Sequence, residues 1–258
     1  MQKQSSLSNN NAKFRIRYEE QLNLSQLQAV TTTEGPLLVI AGAGSGKTRT
    51  LTYRVARLVE DGVSPASILL LTFTRKAAQQ MLLRATKLLD RRCEKVAGGT
   101  FHSFGNIILR KYASALGFNP GFAILDRVDA EALISILRKE AGLVAKQRSF
   151  PRKHTLANIF SRAVNKMIST EDVVYEDYPH LESDLAAIIG LHQEYRKYKS
   201  EHHFFDFDDL LVYLQQLLKT HPDIRNRISS SFRYIMVDEY QDTNKIQADI
   251  LYHLTGDN

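Results

Sequence analysis

The sequence predicts an α/β protein in which a parallel sheet flanked by helices is interrupted by an all-helical insertion. Up to about residue 105, short apolar runs alternate with amphipathic helical patterns. From about 106 to 203 the periodicities are helical, and a further apolar run ending in two acids follows at 234–239. Strands that alternate with helices favour a parallel sheet, because each helix carries the chain back to start the next strand in the same direction.

Composition narrows the classes of function before any motif is considered. The chain has 258 residues, 43% of them hydrophobic, which is enough for a globular core. Its one cysteine, Cys93, has no partner for an internal disulfide, and the N-terminus shows no signal-peptide pattern. No apolar run approaches the ~20 residues that span a bilayer. We therefore expect a cytoplasmic protein without a membrane role.

The formal net charge of +6 is concentrated in the N-terminal part of the chain. Residues 1–105 contain 15 Lys and Arg against 7 Asp and Glu. A basic surface suits phosphate groups or nucleic acid, although many basic proteins bind neither.

The first elements read as strand, loop and helix. Residues 1–12 are rich in Ser and Asn and are expected to form a disordered tail. The apolar run Leu37–Ile40 predicts the first strand, and a helical face follows a glycine-rich turn. That face consists of Leu51, Val55, Leu58 and Val59.

The later elements repeat this alternation and then interrupt it. Ser67–Phe73 predicts a second strand and Val96–Thr100 a third strand. Between them one face of a helix is predicted, formed by Ala77, Met81, Ala85 and Leu88. Asp208–Leu218 predicts another helix, and Arg233–Val237 a returning strand. We expect a discontinuous sheet domain, 13–105 with 204–258, and a helical insertion at 106–203. The insertion's predicted helices are Ala130–Ala141, Thr155–Ile168 and Leu181–Tyr198.

The segment Ala41–Thr48, with the sequence AGAGSGKT, fits the phosphate-binding P-loop pattern except that Ala41 replaces the first glycine. Small residues there let backbone N–H groups face phosphates, beside the positive end of a helix dipole. Lys47 is expected to reach the β- and γ-phosphates and Thr48 to bind Mg²⁺. A flexible glycine turn without a ligand is the structural alternative. Arg49 either contacts the nucleotide or is an exposed residue on the helix surface. The predicted nucleotide-binding residues are Ala41, Gly42, Ala43, Gly44, Ser45, Gly46, Lys47, Thr48 and Arg49.

Two acids end the apolar run that begins at Tyr234. Asp238 is a candidate Mg²⁺ ligand, and Glu239 is a candidate base that deprotonates an attacking water. Strands ending in acids are common, so the assignment depends on the P-loop being in the same chain. For Asp242 and Asn244, capping of the next helix is an equal alternative.

These motifs together resemble the UvrD/Rep/PcrA-like superfamily 1 DNA helicases. The segment 238–242, with the sequence DEYQD, is similar to the family's second signature motif, with Tyr240 where Phe is usual. Leu22–Val30 resembles the family's glutamine motif. Leu71–Ala78 and Gly99–Ser103 resemble its DNA-contacting segments, and Phe205–Leu211 its return to the sheet domain.

The resemblance implies a RecA-like P-loop NTPase fold, with ATP and Mg²⁺ as ligands and single-stranded DNA as partner. It implies that Gln26 reads the adenine edge and that Gln241 joins Lys47, Asp238 and Glu239 in the catalytic set. It also implies 3′-to-5′ translocation by a complete motor, with a second, C-terminal motor domain supplying arginines. We therefore expect these 258 residues alone to lack helicase activity and efficient ATP hydrolysis. The residues expected to contact DNA are Phe73, Thr74, Arg75, Thr100 and His102.

Several of these residues have ordinary structural alternatives. An aromatic residue beside a strand end is usually core, so we expect Phe73 to face bases and Phe101 to be buried. His102 could instead be a hydrogen-bonded structural histidine, and Arg75 stands where UvrD and PcrA have Asn. A basic cluster in the insertion suits a solvated loop better than duplex DNA, and the acids at 206–209 suit a helix start better than a metal. The cluster consists of Lys146, Arg148, Arg152 and Lys153.

Rival functions share part of this pattern. A helicase–nuclease of the RecB/AddA type carries the same motifs, and a non-catalytic nucleotide- or DNA-binding module would need no second domain. A small P-loop kinase is disfavoured, because Glu239 beside Asp238 suits water activation and the chain shows no lid pattern.

Overall fold

The computed structural model describes residues 14–144 and 150–255. The expected tail at 1–12, together with Lys146 and Arg148 of the basic cluster, lies outside the described residues. The strands are β1 (Ile68–Leu71), β2 (Ala97–Gly99), β3 (Ala123–Ile124), β4 (Phe204–Phe205) and β5 (Tyr234–Val237). The helices are α1 (Tyr18–Gln21), α2 (Leu24–Thr31), α3 (Lys47–Glu60), α4 (Arg75–Leu88), α5 (Phe101–Tyr112), α6 (Arg127–Glu140), α7 (Lys153–Lys166), α8 (Thr170–Asp177), α9 (Leu185–Glu201), α10 (Phe207–Thr220), α11 (Pro222–Ser231) and α12 (Lys245–Thr255).

The described chain forms two compact units. The first contains residues 14–100 and 230–242, and the second contains 101–144, 150–229 and 243–255. This grouping places α5, α10, α11 and α12 with the helical unit, whereas the sequence assigned 101–105 and 204–258 to the sheet domain. The predicted domain limits, 13–105 with 204–258 and 106–203, stay a prediction.

A parallel sheet with the order β2-β1-β5 forms the centre of the first unit. In its register Leu70 lies opposite Gly98 on one side and Met236 on the other. All four residues of β1 are buried, as expected for a strand that is covered on both faces. The α/β class with a parallel sheet is confirmed.

Helices α3 and α4 bury the faces that the sequence predicted. Val55, Leu58 and Val59 of α3 are each 1% exposed, and Met81 and Ala85 of α4 are buried in the same core. The 3.6-residue period therefore located both helices and the side that each turns to the sheet.

The predicted strand at Leu37–Ile40 is wrong. Residues 36–42 have no strand assignment, and Leu38 and Ile40 remain 70% and 91% exposed. Interactions connect both ends of this segment to the ends of β5. The Glu34 carboxylate accepts a 2.9 Å hydrogen bond from the Tyr234 hydroxyl, and Lys47 pairs with Glu239. An apolar run becomes a strand only when a neighbour takes its backbone hydrogen bonds, and no ladder joins residues 36–42 to β5, the nearest edge strand.

The core of the second unit is formed by α6, α7, α8 and α9. Ile134, Leu156, Ile159 and Ile188 are among its fully buried side chains. Predicted helices in this region are confirmed as α6, α7 and α9, with ends shifted by a few residues. No helix within 14–144 or 150–255 is both long and apolar enough to cross a membrane.

A two-residue parallel ladder in the second unit was not predicted. Ala123 lies opposite Phe204 and Ile124 opposite Phe205. The rings of Phe122 and Phe205 stack beside the ladder with centroids 4.1 Å apart. Two residues are too few to show an alternating pattern, so the helical periodicity of 106–203 concealed the strand.

A buried lysine fixes the acids at the start of α10. Lys199 is 5% exposed, and its ammonium lies 2.5 Å from Asp206 Oδ2 and 2.6 Å from Asp209 Oδ2. Burial favours the neutral amine, but the two carboxylates outweigh it and raise the pKa of Lys199. Asp206 and Asp209 also form a capping box at the N-terminus of α10. The structural role expected for these acids is confirmed.

Candidate phosphate-binding site

The turn from Ala41 to Gly46 depends on glycine at two positions. Gly44 and Gly46 have φ angles of +76° and +88°, a region that side chains with a Cβ rarely adopt. The Ser45 backbone N–H and hydroxyl both donate to the Gly42 carbonyl, at 3.3 and 2.7 Å. Because α3 begins at Lys47, its first unpaired N–H groups lie beside this turn. A turn of this kind at a helix start is the arrangement predicted for binding an anion.

Lys47 connects this loop to the acids at the end of β5. Its ammonium donates to the Ala41 carbonyl at 3.3 Å and lies 3.8 Å from Glu239 Oε2. The Lys47 and Glu239 side chains are 28% and 35% exposed, so both remain accessible from solution. Two segments that the sequence predicted to act together therefore lie in one site.

Asp238 and Glu239 occupy a strained strand end. The Asp238 N–H donates to the Leu71 carbonyl at 2.9 Å, which extends the pairing of β5 with β1. Burial, followed by the adjacent Glu239 carboxylate, raises the pKa of Asp238, and Lys47 opposes this rise. Glu239 has a φ of +52°, uncommon for a residue other than glycine, and its carboxylate accepts a hydrogen bond from the Gln241 amide.

The oxygen donors at this site suit a hard divalent cation. Asp238 offers a half-buried carboxylate, and Thr48 offers a hydroxyl in the first turn of α3. Within 14–144 and 150–255, no three or more His, Cys, Asp or Glu side chains group closely enough to hold a metal. Mg²⁺ is commonly bound by one or two protein oxygens together with phosphate oxygens and water. The residues present fit that arrangement.

Gln26, predicted to read a base, contacts the loop itself. Its Nε2 donates to the Ser45 carbonyl at 2.9 Å, while its Oε1 accepts from the Asn23 backbone N–H at 3.2 Å. Sequence reasoning missed the contact with Ser45. The spacing of Asn23 and Gln26 is that of a capping box, which could have shown that this side chain folds back on its own helix.

Arg49 contacts the backbone near α1. Its guanidinium donates to the Gln21 carbonyl at 2.7 Å and lies 5.3 Å from the centre of the Tyr53 ring. These contacts hold Arg49 along the surface of α3. A nucleotide contact by Arg49 stays a prediction.

Most residues predicted to contact DNA lie at the same edge of the sheet. Phe73 follows β1 and is 68% exposed. Thr74 caps α4 by accepting from the Ala77 N–H at 3.1 Å, and the exposed Arg75 begins that helix. Thr100 follows β2, which pairs in parallel with β1. Neighbouring parallel strands therefore end with Phe73 and Thr100 at one edge.

His102, the remaining DNA candidate, belongs to the second unit. Its ring meets the Phe207 ring edge to face with centroids 6.0 Å apart, and burial lowers its pKa. Phe101 is 4% exposed, so its predicted core position is confirmed. In the same unit Asn244 exchanges hydrogen bonds with Gln247 at the start of α12, which confirms its capping role.

Comparisons with known proteins agree on one family. Residues 22–258 match the family model described as UvrD/REP helicase N-terminal domain. The chain is similar to the ATP-dependent DNA helicase PcrA of Staphylococcus aureus (strain Mu50), with 39% identity over 229 residues, 88% of this chain and 30% of that protein. It is also similar to PcrA of Staphylococcus epidermidis (strain RP62A), with 38% identity over 227 residues and the same shares. The chain thus spans 30% of the length of these relatives.

Proposed function

The chain belongs to the UvrD/REP helicase N-terminal domain family, and from this membership we propose that it is the ATP-binding part of an ATP-dependent DNA helicase. In the complete protein it couples ATP hydrolysis to 3′-to-5′ translocation on single-stranded DNA. The observation that carries this proposal is the 3.8 Å approach of Lys47 to Glu239. It joins a phosphate-binding loop to a pair of acids in one accessible site.

Each residue of this site has a separate role in the proposed hydrolysis of ATP. Lys47 and the loop N–H groups bind the phosphates, and Gln26 reads the adenine edge. Thr48 and Asp238 would hold Mg²⁺, which would supply positive charge beside the phosphates. Glu239 accepts a proton from the attacking water, and Gln241 orients the Glu239 carboxylate through the hydrogen bond between them.

Single-stranded DNA binds across the strand ends in this proposal. Exposed aromatic rings stack on bases, and hydroxyl or cationic side chains contact phosphates. Phe73, Thr74, Arg75 and Thr100 offer these groups at one sheet edge. His102, on the second unit, is a further DNA contact.

Nucleotide binding by titration calorimetry tests the proposal. We expect Lys47→Ala to weaken Mg²⁺-ADP and Mg²⁺-ATP binding, because a contact to a charged group typically contributes about 1.5–3 kcal/mol, or about 10- to 100-fold in Kd. Lys87→Ala is the matched control, since Lys87 is an exposed lysine of α4 that should leave binding unchanged. Identical titration curves for the parent chain and Lys47→Ala would remove Lys47 from the site.

A further inference from the structure

Gln26 is fixed at both ends of its side-chain amide. The Oε1 atom accepts from the Asn23 backbone N–H at 3.2 Å, and the Asn23 side chain accepts from the Gln26 N–H at 2.9 Å. The Nε2 atom donates to the Ser45 carbonyl at 2.9 Å. The capping box of α2 therefore holds the donor that reaches the phosphate loop.

This donor sets the orientation of one peptide unit of the loop. The Ser45 carbonyl and the Gly46 N–H belong to the same peptide, and in a trans peptide these two groups point in opposite directions. Holding the carbonyl toward α2 therefore turns the Gly46 N–H to the opposite side. Backbone N–H groups turned in this way bind phosphate oxygens at the start of a helix.

A side chain at position 46 would displace the Gln26 amide from the loop. A Cβ atom built on Gly46 would lie 2.8 Å from Gln26 Nε2. The φ of +88° at Gly46 is also one that glycine adopts without cost. Glycine at position 46 therefore suits both the backbone conformation and the contact between Gln26 and Ser45.

We propose that Gln26 is a positioning residue that holds the Ser45–Gly46 peptide ready for a polyphosphate chain. The inference rests on the proposed function, since it concerns the same nucleotide site. It adds a role that is independent of the base: Gln26 acts on the phosphates through Ser45, even for a ligand that has no adenine. Base recognition and phosphate binding are thereby joined in one side chain.

Base-free magnesium tripolyphosphate separates this role from base reading. We expect Gln26→Met, which keeps the length of the side chain but removes its amide, to weaken tripolyphosphate binding to the full chain by about 3- to 10-fold, the range for one net hydrogen bond. Gln28→Met is the matched control, because Gln28 is an exposed glutamine of the same helix. Thermal unfolding of each variant shows whether the fold itself has changed.

The tripolyphosphate and ATP titrations distinguish the positioning role of Gln26 from base reading alone. Weaker tripolyphosphate binding by Gln26→Met, with Gln28→Met and the unfolding temperature unchanged, supports it. Weaker ATP binding with unchanged tripolyphosphate binding shows a base reader alone and overturns it. A parent chain that fails to bind tripolyphosphate also overturns the inference, because a preoriented loop needs no base. Equal weakening by Gln26→Met and Gln28→Met overturns it as well. Lys47→Ala in the same titration tests the proposed function separately.

Discussion

Phe73 keeps 68% of its surface exposed although it follows a strand whose four residues are all buried. A buried phenylalanine side chain stabilises a fold by about 1.5–3 kcal/mol more than an exposed one. The exposure of Phe73 is therefore consistent with a role in binding. In the proposed function the ring stacks on a base.

Replacing Phe73 tests that role. We expect Phe73→Ala to weaken single-strand binding by about 1–3 kcal/mol, the usual contribution of one base–aromatic stack. Fluorescence anisotropy of a labelled oligonucleotide at low salt measures the change, since high salt weakens the phosphate contacts. Leu83→Ala, at another exposed apolar residue, is the control. Equal binding by both variants and the parent chain would place the DNA face elsewhere.

The sequence identified the chemistry of the site but not the partners of each side chain. The types and order of Lys47, Asp238 and Glu239 were sufficient to place them in one site. That Gln26 contacts Ser45, or that Arg49 contacts Gln21, depends on rotamers and on loop path. Neither is encoded in a spacing pattern.

The start of α10 combines three acids with one buried lysine. Burial and the neighbouring Asp206 carboxylate raise the pKa of Asp208 to about 6, although hydrogen bonds from Ser161 and Asn165 and the charge of Lys199 oppose the rise. The ordinary pKa of the group is 3.8. Between pH 3.8 and about pH 6, Asp208 keeps its proton in the folded protein and has lost it in the unfolded chain. The contribution of Asp208 to stability is therefore greatest below pH 4 and declines as the pH rises through 6.

Asp208→Asn removes this penalty while keeping an oxygen that can accept from Asn165. We expect the variant to exceed the parent chain in free energy of unfolding by about 1–3 kcal/mol above pH 6, because each pKa unit corresponds to about 1.4 kcal/mol. The gain should vanish below pH 4. Urea unfolding at intervals from pH 4 to 8 measures it, with Asp223→Asn, an exposed acid of α11, as control. A difference that does not change with pH would contradict this account.

Long periodic elements were predictable, and short or unpaired ones were not. The faces of α3 and α4 repeat over several turns, so their burial followed from sequence. The eight-residue α8 and the α11 helix offered less pattern and were missed. Leu37–Ile40 has the composition of a strand, but strand formation needs a partner edge, which no local pattern supplies.

The proposed function separates nucleotide binding by this chain from ATP turnover by the complete motor. In related NTPases an arginine that stabilises the transferred phosphoryl group contributes about 10³–10⁵ in rate. The proposal assigns such arginines to a second motor domain. The arginine next to the loop in sequence, Arg49, donates to the Gln21 carbonyl in the structure.

We therefore expect the 258-residue chain to bind ATP but to release phosphate very slowly, with or without single-stranded DNA. Joining it to the following region of a full-length relative in one polypeptide should restore DNA-stimulated release. Glu239→Gln should then abolish that release while ATP binding persists. Rapid DNA-stimulated turnover by the 258 residues alone, lost in Glu239→Gln, would show that they form a complete ATPase.

The fold class was predictable because it depends on the order of strands and helices, which the sequence displays. The unit with which α5, α10, α11 and α12 pack depends on which apolar faces meet, and this is not visible in the order of elements. Helices α5 and α10 approach closely at Gly105, where a Cβ atom would lie 2.8 Å from the Leu210 carbonyl oxygen. Such close helix contacts depend on small residues whose sequence context is ordinary.

Cys93, the single cysteine of the chain, is fully buried in the core of the first unit, and burial raises the pKa of its thiol. Alkylating dyes react with an accessible thiolate, so we expect them to label Cys93 very slowly in the native protein. Cys93 therefore does not have to be replaced before labelling. Cysteines introduced at Arg84 and Lys139, exposed positions on α4 and α6, would then carry a fluorescent donor and acceptor, one on each unit. Energy transfer between these dyes would follow the distance between the units, molecule by molecule, as nucleotide and DNA are added.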